Sequence, residues 1–189
     1  MGLFGIILIV VSGIWVAGEI VLAFSTLARR SGRASADRGT LVLLWVTIII
    51  ALNAASFLTF TGRGWGPFPA AVAWVGLGLI VAGLALRVWA VATMGKSFTS
   101  QVAAAPGQVV VSRGPFRLIR HPSYAGSLLS FLGLGFAFGN ALAVIIIFVP
   151  VTLAFLRRIA VEEKHLKAAL GEPYDAYCRR TKRLLPGII

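Results

Sequence analysis

Three runs in the first half of the chain, Leu3 to Ala28, Thr40 to Phe60 and Ala70 to Met94, are apolar almost without interruption. About 20 such residues, at roughly 1.5 Å each, are enough to cross the ~30 Å hydrocarbon layer of a bilayer. In that layer every backbone N–H and C=O needs an internal partner, which a helix supplies within one segment. Two further apolar stretches follow, from about Pro122 to Phe138 and from about Ala141 towards Leu170, joined by a turn at Gly139-Asn140. Pro150 should kink the second of them. With 58% hydrophobic and only 13% charged residues, no soluble domain of this length hides so much apolar surface. The chain therefore reads as an all-α integral membrane protein with five transmembrane helices. It is one membrane domain over residues 1–189, with three helices in 1–94 and a hairpin and tail in 95–189. The first run lacks a basic leader and is too long for a cleaved signal peptide, so it is expected to stay as the first membrane helix.

A formal net charge of +12 raises the question of nucleic acid. The cations, however, lie between apolar runs and form no single patch, so membrane flanking accounts for them. Arg29, Arg30, Arg33 and Arg38 follow the first helix, and only Arg63 follows the second. Lys96, Arg113, Arg117 and Arg120 follow the third, none follows the fourth, and the tail from Arg157 is rich in them. That alternation places the N-terminus outside and the long loop and tail in the cytoplasm. Cys178 is the only cysteine, and His121 and His165 are the only histidines, so no internal disulfide and no metal site is expected. The Gly-Leu-Gly triplets at Gly76 to Gly78 and Gly133 to Gly135 sit inside apolar helices with no preceding strand. They read as packing glycines, not as a dinucleotide loop, and with Gly126 they let another helix approach. The fourth helix, about 17 residues or ~25 Å, forms a hairpin with the fifth that barely reaches the far interface.

The longest polar interruption ends in RGPFRLIRHPSYAG, Arg113 to Gly126. Pro122 suits the first position of a helix, where its missing N–H costs nothing. His121, before it, is biased to extended backbone, so the helix starts there. The N–H groups of Ser123, Tyr124 and Ala125 then lack intrahelical partners and attract anions, beside Arg113, Arg117 and Arg120. The same residues also fit a simple turn with its cations at the lipid headgroups. Upstream, Val109 to Val111 suit a short strand. Two charges lie inside spans at similar depth, Glu19 and Arg87, which either share a polar environment or let Arg87 snorkel to the interface. In the tail, Arg158, Glu162 and His165 recur at helical spacing on one face while Glu163 points elsewhere. A plain Arg–Glu surface pair would explain that face equally well. Gly171 ends the helix, and Pro173 starts a short one that carries Tyr174, Tyr177 and Thr181 on a face above the basic edge Arg179 to Arg183. This piece either lies at the headgroups or closes over the polar loop.

Taken together, RHPSYAG from Arg120, an apolar hairpin, Arg158-x-x-x-Glu162-Glu163, Gly171, Tyr174, Tyr177 and RLLP from Arg183 resemble the isoprenylcysteine carboxyl methyltransferase family. The resemblance runs from about Met94 to Ile189, and the wider superfamily of phospholipid and small thiol methyltransferases shares much of it. It implies a membrane enzyme that uses S-adenosylmethionine (SAM) without a Rossmann domain, at a cytoplasmic site formed by the loop between helices three and four and the C-terminal helices. By that resemblance the cofactor would meet Gln101, Gln108, Val109, Val110, Val111, Phe116, His121, Pro122, Ser123, Tyr124 and Glu162. Arg158 would hold the carboxylate of a prenylcysteine-type acceptor and act as the catalytic residue. Gln108 stands where the family often has histidine. The expected partners are a lipophilic or lipidated acceptor and membrane lipids, with no nucleic acid and no metal. The alternatives are N-methylation of a phospholipid headgroup and a non-catalytic membrane scaffold of the same fold.

Overall fold

A computed structural model describes residues 2–27, 38–64, 67–95 and 110–187. Six α-helices account for most of them: α1 (Leu3–Leu27), α2 (Arg38–Phe60), α3 (Ala70–Met94), α4 (Pro122–Ala137), α5 (Ala141–Leu170) and α6 (Glu172–Arg180). A 3₁₀ turn, Gly114–Arg117, precedes α4. Four of the helices (α1, α2, α3 and α5) are long and apolar enough to cross a membrane, which marks an integral membrane protein. The 16-residue α4 is shorter. The helix limits follow the local signals closely, because Pro122, Gly171 and the ends of the apolar runs act through their own backbone. Among the described residues, Val110 and Val111 lie in irregular backbone and form no strand. Pro150 is accommodated inside α5, which runs unbroken from Ala141 to Leu170.

Two antiparallel seams hold the bundle together. Along the first, α3 and α4 meet glycine to glycine. A Cβ added to Gly76 would come within 2.5 Å of the Gly133 carbonyl oxygen, and one on Gly126 within 2.5 Å of the Gly83 carbonyl oxygen. Only residues without side chains allow backbones so close, and in lipid such van der Waals contact replaces the missing hydrophobic drive. Ser130 seals the seam by donating to the Ile80 carbonyl at 3.2 Å. Gly135 turns the other way, against Val144 of α5, and a Cβ on Gly78 would meet nothing within 4 Å among the described residues. Of the triplet Gly76-Leu77-Gly78, one glycine therefore packs and the other does not.

The second seam joins α2 and α5. Leu44, Ile48, Ala51 and Ala55 repeat at intervals of four and three residues, and face Ala143, Ile147, Val151, Ala154 and Phe155. At one end of the bundle the turns are tied together. Asn140 caps α5 by accepting from the Ala143 N–H at 2.8 Å, and its amide donates to Thr59 Oγ1 at 3.1 Å. The Phe68 N–H donates to the Gly139 carbonyl at 2.8 Å. The polar residues gather at the opposite end. By contrast no residue along the candidate span of α1 is fully buried, and Trp15 only partly packs on the core. Ring contacts between Phe4 and Trp74 and between Trp15 and Phe131 hold it to the bundle, together with one ion pair described below.

Candidate functional site

At that opposite end the start of α4, the 3₁₀ turn, the last turns of α5 and the tail converge. Pro122 occupies the first helical position of α4, and His121 the cap, with no side-chain capping bond. Ala125 N–H donates to the His121 carbonyl at 3.0 Å, so only the Ser123 and Tyr124 amides lack a backbone partner among the described residues. The expectation of three such amides was one too many, because the cap carbonyl already closes the first turn.

Tyr124 is the junction of the site. Its hydroxyl donates to Glu162 Oε2 at 2.8 Å and accepts from Arg158 Nε at 3.0 Å. Its ring stacks on His121, with centroids 5.6 Å apart, and tilts against Phe155. Arg158 is only 2% exposed and also reaches Thr40 Oγ1 of α2 at 3.4 Å. Position 158 continues the stripe Ile147, Val151, Ala154 by one helical step, and Thr40 precedes Leu44 by one turn. The α2–α5 seam thus ends in an arginine and a threonine where apolar residues would otherwise continue it. A guanidinium so placed sits where surrounding water no longer weakens its interactions. A plain surface pair between Arg158 and Glu162 is excluded by this burial and by the shared phenol.

A second cluster surrounds Glu163, which is 5% exposed. Oε1 accepts from Arg120 Nε at 2.8 Å and lies 3.3 Å from His121 Nε2, while Oε2 accepts from Arg183 Nε at 2.9 Å. Arg120 also donates to the Cys178 carbonyl at 3.1 Å and to the Thr181 carbonyl, at the end of α6. Backbone bonds run alongside: Arg120 N–H to the Lys182 carbonyl at 2.7 Å and His121 N–H to the Arg183 carbonyl at 3.0 Å. The Tyr177 hydroxyl donates to the Phe116 carbonyl at 2.7 Å. Of the two placements open to the tail, the structure shows the second: it straps down over the polar loop. Burial pushes the Tyr177 phenol up to about 12, so it remains a donor. Burial likewise raises the Cys178 thiol, which keeps it a poor nucleophile at neutral pH.

The structure thus brings His121, Pro122, Ser123, Tyr124, Arg158 and Glu162 together. Phe116 is buried in the 3₁₀ turn beneath α6, and Val110 and Val111 lie upstream of it. Gln101, Gln108 and Val109 lie outside the described residues. His165 turns its Nδ1 to the Val161 carbonyl of its own helix, at 2.8 Å, and does not join the cluster. Sequence reasoning gave Glu163 and Arg183 no contact role, read Arg120 only as positive charge beside the helix start, and passed over Thr40. A signal for Glu163 existed: Val151, Phe155 and Ile159 recur every four residues, all buried, and the next step is Glu163.

A third constellation joins α1 to the site. Arg87 of α3 holds Glu19 with two prongs, Nε to Oε1 at 2.5 Å and Nη2 to Oε2 at 2.6 Å. Its remaining nitrogen, Nη1, donates to Ser123 Oγ at 2.7 Å and faces the Ser123 carbonyl at 3.3 Å. The two membrane charges therefore pair, as charges in lipid usually do, and Arg87 does not snorkel away.

Known proteins place this architecture. The family model for the isoprenylcysteine carboxyl methyltransferase (ICMT) family matches residues 74–168. A probable protein-S-isoprenylcysteine O-methyltransferase of Oryza sativa subsp. indica is 31% identical over 119 residues, 62% of this chain and 62% of the relative. Protein-S-isoprenylcysteine O-methyltransferase B of Arabidopsis thaliana is 34% identical over 113 residues, 59% of this chain and 57% of the relative. The chain thus spans about three fifths of the length of these relatives. The solved structure of a eukaryotic intramembrane Ras methyltransferase, itself an isoprenylcysteine carboxyl methyltransferase, superposes with a TM-score of 0.63 at 23% identity. That match covers 80% of this chain and 54% of the other, and it shows a shared fold.

Proposed function

We propose, since this chain belongs to the isoprenylcysteine carboxyl methyltransferase family, that it methylates a lipophilic acceptor at the membrane surface, at the carboxylate of a prenylcysteine-type group. The single observation that carries the reading is the Tyr124 hydroxyl, which ties Arg158 and Glu162 together. These are the two residues that the family pattern gives to opposite reactants.

The residues present fit SAM as the methyl donor. The Ser123 and Tyr124 amides, uncapped at a helix start, suit its carboxylate, and Glu162 suits its ammonium or a ribose hydroxyl. The buried Tyr174 hydroxyl has the Cys178 thiol, a weak hydrogen-bonding group, as its polar neighbour. His121, Pro122 and Phe116, with Val110, Val111 and residues 101, 108 and 109 of the loop, complete the set that would hold the donor.

When bound, SAM supplies a methyl group already activated on a sulfonium. Little acid–base work is left for the chain. An acceptor carboxylate is ionised at pH 7 and attacks without a general base, whereas an amine acceptor would first have to lose a proton. Arg158, fixed by Tyr124 and Thr40, presents the planar fork that orients a carboxylate. The strap over the loop and the α2–α5 seam keep water from the reacting groups. The test is purified protein with methyl-labelled SAM and a panel of prenylcysteine, phospholipid and thiol acceptors. The expected product is a base-labile methyl ester. A base-stable methylamine would transfer the reading to phospholipid headgroups, and absence of SAM binding would leave a scaffold.

The reading includes a topology of five crossings, with the N-terminus outside and the site in the cytoplasm. The alternation of cations supports it. So does the far turn of α4, which bonds to the α2–α3 turn and thus reaches the same level. Single cysteines at Ser35, Thr61 and Gln108, with Cys178 replaced, test it with a membrane-impermeant thiol reagent. Gly64 is unsuited to this probe, because a Cβ there would meet the Asn140 side chain at 2.6 Å. Thr61→Cys is expected to label from the side opposite the other two, and labelling from the same side would overturn the five-span topology.

A further inference from the structure

We infer that Glu19, on the peripheral helix α1, is a positioning residue for the start of α4, acting through Arg87 on Ser123. The inference rests on the reading of that helix start as the holder of the cofactor's anionic end. Three observations carry it. Glu19 is the only ionisable residue in α1, and a lone carboxylate in hydrocarbon is costly, so α1 docks where Arg87 meets it. Both oxygens of Glu19 take up Nε and Nη2 of Arg87, which leaves Nη1 aimed at Ser123. Ser123 carries one of the two uncapped amides of α4, directly before the Tyr124 junction.

The packing around Arg87 makes this aim specific. A Cβ on Gly126 would come within 2.8 Å of the Arg87 backbone nitrogen and 3.2 Å of its Cβ, so the two helices touch at the residue whose guanidinium spans them. With Glu19 replaced by glutamine, the counter-charge is lost and one of the two acceptor oxygens becomes an NH2 donor facing the guanidinium in a low-dielectric layer. Arg87 then gains by turning towards water or headgroups, and Ser123 loses its donor. A peripheral helix with no fully buried residue along its span is in this way made part of the site. Residues 1–73, which the family match does not cover, thus contribute a side chain to the same machinery.

Glu19 and Ser123 are joined through Arg87, so a double-mutant cycle between them reads the relay. In full-length protein in lipid nanodiscs, Glu19→Gln and Ser123→Ala should each weaken SAM affinity about fivefold or more, by calorimetry. The double variant should be little worse than either single one. Losses that multiply would show two independent effects and overturn the inference. Arg87→Lys keeps a charge for Glu19 but cannot also reach Ser123 with a separate prong. It should therefore lower SAM affinity to the level of Ser123→Ala, and wild-type affinity in that variant would equally overturn it. Trp15→Leu loosens α1 at its ring contact with Phe131 and should leave SAM affinity within twofold. A loss there as large as in Glu19→Gln would reduce Glu19 to a mere anchor of α1. Wild-type protein that binds no SAM at all would defeat the proposed function together with this inference. A binding wild type with a multiplicative cycle would defeat this inference alone.

Discussion

Replacing Arg158 by lysine is expected to leave SAM binding nearly intact and to lower kcat/KM for a prenylcysteine acceptor about thirtyfold or more. The loss corresponds to roughly 2–4 kcal/mol, the range seen when one aligned charge-stabilising donor is removed. Its origin is geometric. Arg158 Nε is already committed to Tyr124 and Nη1 to Thr40, which hold the guanidinium plane in one orientation inside the α2–α5 seam. A lysine ammonium is a point charge that reproduces neither that orientation nor a two-pronged hold on a carboxylate. Glu162→Gln should behave in the opposite way, weakening SAM affinity directly, because the proposed function gives Glu162, across the Tyr124 hydroxyl from Arg158, to the cofactor. The pair of measurements, calorimetric affinity and kcat/KM for each variant, separates the two roles. Arg158→Lys with wild-type kcat/KM would refute the carboxylate clamp and favour a phospholipid amine as acceptor.

Glu163→Gln should be the most destabilising single substitution among the polar residues of the site. Removing one partner of a buried pair leaves the others uncompensated and costs about 3–5 kcal/mol. The low end applies here, since Arg183 is 44% exposed and Arg120 keeps two carbonyl partners at the end of α6. The damage should concentrate in the strap. The Arg120 and His121 amides, bonded to the Lys182 and Arg183 carbonyls, should exchange hydrogen faster, and trypsin should cut after Lys182 at lower concentration. Glu163→Asp keeps the charge on a shorter stem and should restore part of the melting temperature. A Glu163→Gln protein that melts like the wild type and protects those two amides as well would show that the tail is held without the Glu163 carboxylate, by its backbone bonds and the Tyr177 and Arg120 contacts.

Each of these substitutions acts on a contact between elements far apart in the chain, and there the legibility of the sequence ends. The pattern around Arg158, Glu162 and Glu163 placed the first two on one helix face and turned the third away from it. Successive residues on a helix do differ by about 100°, so that separation was right. It did not show that the second direction leads inward too, to Arg120, His121 and Arg183. Glu19 and Arg87 matched in depth, but whether they met depended on α1 lying against α3. Thr40 carried no signal of its own, because its role comes from the antiparallel register of α2 on α5.

What the sequence determined by itself were the helices and their ends. Apolar length, Pro122 at a first turn, Gly171 at a last one and the turn at Gly139-Asn140 all act through a few neighbouring bonds, so they are legible without knowing what stands opposite. It also determined which glycines were free to pack, but only the tertiary structure chose Gly76, Gly83, Gly126 and Gly133 for the α3–α4 seam and left Gly78 bare. The three polar clusters were likewise decided by the fold. Periodicity states which residues share a face, whereas a charge in a low-dielectric layer is settled by whichever partner the neighbouring helix brings within about 3 Å. Glu19 found Arg87, and Glu163 found two arginines and a histidine, for that reason, across 68 residues in the first case and 43, 20 and 42 in the second.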